Sequence, residues 1–189
     1  AASQLGGEER EISVLFADLA AFVTFSEARA PTEVIAMLNE YWAAVVPAID
    51  AAGGVIEHFA GDGVMAIFNA SGDQPDHGRR AARAALAIVE AGRPLAESHP
   101  RWPIFRVGVN TGSAVVGTVG AAGRLSFAAI GDTTNVAARL MAAGEPGRVT
   151  VALATWESLD SARDGVELNP MSVKGKTTPV EAWWLRGMS

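Results

Sequence analysis

Cysteine is absent from the 189 residues, so neither a disulfide nor a thiolate-ligated metal is open to this chain. No apolar run approaches the roughly 20 residues that span a bilayer, and the opening residues lack a signal-peptide pattern. A soluble, cytoplasmic piece with no membrane contact is the expectation. The common nucleotide and hydrolase signatures are missing as well: there is no GxxxxGK[ST], no GxGxxG after a strand and no GxSxG elbow. The glycine-rich "GSAVVGTVG" lacks the lysine of a phosphate loop. His58, His77 and His99 lie too far apart for zinc spacing. A formal net charge of −6 argues against a protein that coats nucleic acid. Internal repeats and low-complexity tracts are absent too.

What is present is ordinary globular composition, 49% hydrophobic and 19% charged, at a length that suits one domain with a sizeable core. "AASQLGGEER" has no apolar periodicity, so residues 1–10 are expected to be a linker or chain end and residues 11–189 the domain, cut from a longer protein. "EISVLFADL" is apolar on both faces, as in the middle of a covered sheet. "PTEVIAMLNEYWAAVVPAIDAAGG" has helical spacing at Val34, Leu38, Trp42, Val45 and Ile49, with Pro31 in its first turn, a kink at Pro47 and Gly53-Gly54 as a stop. "VIEHF" and "VMAIF" form a hairpin around "AGDG". Asp76 suits the N-cap of an alanine-rich helix that ends near Glu90, where "GRP" breaks it. "IFRVGVNTG" and "SAVVGTVG" read as two strands with a turn at "TGS", followed by a loop or projecting arm at "AAGRLSFAAIG". "DTTNVAARLMAAG" is a short helix, and "GRVTVA", a short helix near "ATWESL", and "VEAWWL" complete the chain. This order predicts an α+β fold, with helices packed on a largely antiparallel sheet.

Two aspartates carry the chemical interest. Asp18 ends one apolar strand and Asp62 sits at the tip of an apolar hairpin, and neighbouring strand ends can bring them together. Converging carboxylates repel unless a hard cation lies between them, and Mg²⁺ suits one or two carboxylates plus substrate phosphates. A pair of ions serves in-line displacement at phosphorus. Taken singly, each aspartate also suits a cap or a turn. The small residues of "LAAF" after Asp18 let the backbone N–H groups of Leu19, Ala20, Ala21 and Phe22 approach phosphate oxygens. Asn135 and Arg139, four apart, share one helix face opposite Val136, Leu140 and Ala143. An amide and a guanidinium so placed can meet a ribose and a phosphate in transition, and on their own they also suit a solvated face with Arg139 in a surface ion pair.

Together, "VLFADLAAFVTFSE", "GGVIEHFAGDGVMAIF", "RVGVNTGSAVVGTVG", "FAAIGDTTNVAARL" and "SVKGKTTPVEAWWL" resemble, in order and spacing, the class III nucleotidyl cyclase catalytic domain, the adenylate and guanylate cyclase family. The resemblance runs from about Glu11 to Leu185. It implies a ferredoxin-like βαββαβ core with additional strands and helices. It also implies two divalent cations, Mg²⁺ or Mn²⁺, on Asp18 and Asp62, with Asn135 orienting the ribose and Arg139 stabilising the transition state. Lys174 (less so Lys176) takes the position that meets the terminal phosphates. The family works as a head-to-tail homodimer in which one subunit supplies the aspartates and the other the Asn, Arg and Lys. The arm with Leu125 and Phe127 is expected to reach the partner.

The expected reaction is therefore conversion of ATP to 3′,5′-cyclic AMP and pyrophosphate, under a regulatory domain elsewhere in the longer chain. The base-reading positions depart from the family pattern. Adenylate cyclases of this class usually carry lysine and aspartate or threonine where this chain has His58 and Ala128. Guanylate cyclases typically carry glutamate and a small polar residue there. His58 can still donate a hydrogen bond and Ala128 can do nothing polar, which predicts modest discrimination between ATP and GTP. A guanylate cyclase, or a catalytically weak homologue that binds nucleotide or only dimerises, are the alternative readings.

Overall fold

The apolar segment before Asp18 is strand β1 (Gly7–Leu19), and in the computed structural model, which describes residues 6–121, 124–172 and 176–189, it begins inside the stretch expected to be a linker. Gly7 already pairs with Gly117. Helices α1 (Phe22–Glu27) and α2 (Pro31–Ala51) follow. The buried stripe of α2 is Val34, Met37, Tyr41, Val45 and Ile49; Leu38 and Trp42, expected at its centre, sit half-buried at its margin. The helix continues through Pro47. By length and composition α2 could cross a membrane, yet its stripe packs into the core.

Strands β2 (Val55–Ala60) and β3 (Gly63–Phe68) form the expected hairpin, with Gly61 at φ +62° opening the turn. Helix α3 (His77–Ser98) does not stop at Glu90 but includes Gly92 and Pro94. Gly92 is a close contact rather than a terminator, since a Cβ there would come within 3.2 Å of the Phe105 ring. Asp76 precedes the helix without a side-chain cap and instead pairs with Arg80 at 2.6 Å. The two strands expected around "TGS" are one, β4 (Phe105–Ala121), 17 residues long. Gly112 lies within it, paired with Ile12, and a Cβ there would meet the Thr133 hydroxyl at 2.8 Å; the glycine serves close packing, not a turn.

Strand β5 (Arg124–Ile130) runs back along β4, so the expected arm is a β-hairpin. Helix α4 (Asp132–Ala143) ends at Gly144, and it buries Thr133, Val136, Ala137 and Leu140 while Ala143 is exposed. Strand β6 (Val149–Ala152), helix α5 (Leu153–Ser158), an unanticipated strand β7 (Arg163–Glu167) and strand β8 (Ala182–Met188) complete the chain.

The sheet order is β2-β3-β1-β4-β6-β8-β7, with β5 on β4, and every pairing is antiparallel except β4 with β6. The β4-β1-β3-β2 order, with α2 and α3 as crossovers, is the ferredoxin-like core of an α+β fold. Alternation along the strands gives the sheet two apolar faces. Leu15, Ala17, Val64, Phe68 and Val107 lie under α2 and α3. Ile12, Val14, Met65, Ala114 and Val116 face the other way, toward Phe127 and Ala137 of α4. Asp18 follows Val14 and Phe16 onto this second face.

Candidate active site

Asp18 pairs across β1–β3 with Gly63, the residue after Asp62, so the hairpin tip lies against the end of β1. The Leu19 N–H donates to the Asp62 carbonyl at 3.3 Å and ties the two segments together. Gly63 permits the approach: a Cβ there would lie 3.2 Å from the Ala17 carbonyl oxygen. Burial pushes the Asp62 carboxyl above its ordinary range, the Asp18 charge adds to this, and its backbone hydrogen bond and Arg106 oppose it. No group of three or more His, Cys, Asp or Glu side chains gathers among the described residues. Two partly buried carboxylates drawn to one strand end fit hard divalent cations whose remaining oxygens come from phosphate.

Arg106, which sequence reasoning missed, stands directly opposite Asp18 on β4. Its Nε donates to Asp18 Oδ1 at 3.3 Å and its Nη1 to the Ala142 carbonyl at 2.8 Å, near the end of α4. Both side chains are about three-quarters buried, 26% and 25% exposed. The signal was a lone cation in the apolar run "IFRVGV", but the strand register that makes it Asp18's neighbour is not local.

Helix α4 is pressed onto β4, because a Cβ on Gly108 would lie 2.4 Å from the Met141 nitrogen and 2.5 Å from the Ala137 carbonyl oxygen. Thr133 donates to the Ser113 carbonyl at 2.6 Å and Asn110 to the Thr133 carbonyl at 3.1 Å, which fixes the head of the helix. Asn135 is exposed and Arg139 half-buried, outside the buried stripe. The helix receives the hydrogen bond from this pair at Ala142, seven residues or about 10 Å along the axis from Asn135.

The remaining expected contributors divide. The Leu19 amide is taken by Asp62 and that of Ala20 by the Ile104 carbonyl at 3.0 Å, so neither is free for phosphate as expected. Ala21, at φ +60°, and Phe22, the first residue of α1, keep that possibility. Lys174 lies outside the described residues, while Lys176 pairs with Asp132 at the start of α4. His58 pairs with Met65 and so points to the second face, with its Nδ1 against the Glu57 carboxylate, a partner not anticipated. Ala128 pairs with Gly117, and its strand touches β2. Phe127, expected to reach outward, packs on its own chain's Ile12–Val14 face, and the side chain of Leu125 lies outside the description. Among the described residues, Val115, Val119 and Ile130 are exposed apolar residues of the arm.

The family model of the adenylate and guanylate cyclase catalytic domain matches residues 7–187. The chain belongs to this family. Adenylate cyclase 1 of Rhizobium meliloti (strain 1021) is 37% identical to this cyclase domain over 186 residues, 95% of the chain and 28% of that protein. The chain thus spans less than a third of that relative's length. The solved guanylyl cyclase Cya2 superposes with a TM-score of 0.85 at 29% identity, covering 97% of this chain and 95% of that one. The adenylyl cyclase CyaB from P. aeruginosa gives 0.88 at 24% identity over 98% and 100%, a likeness of fold alone.

Proposed function

We propose that this cyclase domain converts ATP to 3′,5′-cyclic AMP and pyrophosphate at sites shared by two identical copies. The observation that carries the reading is the separation within one chain: Asp18, Asp62 and Arg106 cluster at one sheet end, while Asn135 presents itself to solvent farther along α4. A second copy can bring its α4 face to the carboxylates. Asp18 and Asp62 would hold two divalent cations, Mg²⁺ or Mn²⁺, which when bound activate the ribose 3′ hydroxyl and offset phosphate charge. Around them the chain supplies position and charge. Asn135 orients the ribose, and Arg139 stabilises the charge that develops on the α-phosphate. Arg106 beside Asp18, the Ala21 and Phe22 amides, and Lys174 receive the triphosphate. The adenylate cyclase at 37% identity favours ATP over GTP, and the relative's greater length favours a regulatory segment elsewhere in the protein.

Incubation with Mn²⁺ and either ATP or GTP, followed by chromatographic resolution of products, tests the reading. Cyclic AMP is expected from the wild type. Asp18→Ala and Asp62→Ala should each lower turnover at least about 100-fold while circular dichroism stays native. Cyclic GMP as the main product would favour the guanylate alternative, and no cyclic product from either nucleotide would leave only nucleotide binding.

A further inference from the structure

Strand β2 is irregular at one point, and the irregularity falls beside the base-reading position. Ile56 pairs with Ala66 and His58 with Met65, so Glu57 is an extra residue with no opposite number on β3. In a regular strand, consecutive side chains leave on opposite faces and Glu57 could not meet His58. A bulge re-aims a side chain, and here the Glu57 carboxylate lies against His58 Nδ1. Glu57 is largely sheltered, with its side chain 15% exposed, while His58 is 49% exposed. The carboxylate is thus the anchored member of the pair and the ring the presented one.

We propose that Glu57 is a specificity-determining positioning residue: it fixes the tautomer of His58 so that the ring offers an acceptor, matched to a 6-aminopurine, to the bound nucleotide. This rests on the reading of the domain as a nucleotide cyclase. An ionised carboxylate only accepts, so His58 Nδ1 must carry the hydrogen that bonds it. In the neutral ring the other nitrogen, Nε2, then holds a lone pair. A lone pair there pairs with the exocyclic N6–H of adenine and opposes the O6 lone pairs of guanine. The acceptor missing at Ala128 is in this way restored from β2. Glu57 touches no substrate and acts through His58.

The test compares wild type, Glu57→Ala, Glu57→Gln and His58→Ala in kcat/KM for ATP and GTP at one fixed, mildly alkaline pH. One neutral hydrogen bond predicts a wild-type ATP preference on the order of tenfold. Glu57→Gln should retain that preference, because its amide oxygen still accepts from Nδ1. Glu57→Ala and His58→Ala should both lose it, chiefly through KM for ATP. The inference is overturned if the wild type prefers GTP, if Glu57→Ala keeps the ratio, or if Glu57→Gln loses it as fully as Glu57→Ala. Should the wild type form no cyclic product, the cyclase reading fails by itself. Dissociation constants of ATP and GTP with Ca²⁺, measured by calorimetry on the same four proteins, then decide the inference: the same pattern supports it and a flat one overturns it.

Discussion

His77, the first residue of α3, is 8% exposed and heads a chain of buried polar side chains. Its Nδ1 meets the Ser13 hydroxyl at 2.9 Å, Ser13 meets Thr111 at 2.7 Å, and Thr111 meets Thr155 at 2.9 Å, so four elements share one satisfied network. Burial holds the His77 imidazole below its ordinary value, against the smaller opposing pull of Glu11 and Asp76. The unfolded chain therefore binds the proton more readily than the folded one. The stability tied to His77 is complete above the unfolded value of about 6.5 and is lost as pH falls toward the lower folded value. Between pH 7.5 and 5.5 the melting temperature of the wild type should fall more steeply than that of His77→Gln. Parallel curves in differential scanning calorimetry would remove His77 from this role.

At the level of elements, the contact between α4 and β4 decides where Asn135 and Arg139 stand. Gly108→Ala puts a methyl group into the backbone of α4 at Ala137 and Met141, which should cost about 1–3 kcal/mol. The displaced helix should also lower turnover beyond what the unfolded fraction explains. Urea titration together with activity per folded molecule checks this, and unchanged turnover per folded molecule would show that α4 tolerates the shift. The same contacts explain which elements could be read from the sequence. The hairpin, α2, α4 and the aspartate positions follow from local spacing, because each is set by neighbours in the chain. Gly92 and Gly112 read as a break and a turn because a glycine needed for a tight distant contact looks the same as one needed for chain reversal. Arg106 and Glu57 were invisible for a related reason: one acquires its meaning from the β1–β4 register, the other from a bulge that no composition announces. Strand β7, the edge strand with Arg163, Asp164, Gly165 and Glu167 in five residues, carries almost no apolar signal.

For the whole molecule, the proposed sharing of sites has an arithmetic consequence. Asp18→Ala and Arg139→Ala should each be inactive, yet a mixed dimer holds one site with both lesions and one with neither. Random exchange should restore about a quarter of wild-type turnover, since half of the dimers are mixed and each mixed dimer has one intact site. No recovery, with subunit exchange shown by mass spectrometry, would sink the shared site. Strands β1 and β4 pair without interruption from Gly7–Gly117 on the arm to Leu19–Phe105 beside Asp18, thirteen rungs or about 40 Å. That ribbon is hydrogen-bonded throughout, and from Ile12 to Leu19 it is packed on both faces, so it would transmit a turn as a stiff beam. If a partner grips the exposed Val115 and Val119 on the arm, a small rotation of one copy against the other arrives at the carboxylates amplified by leverage. The rate of the reaction would then be set by an angle, and any signal able to turn the arm by a few degrees could throttle the chemistry without touching the site.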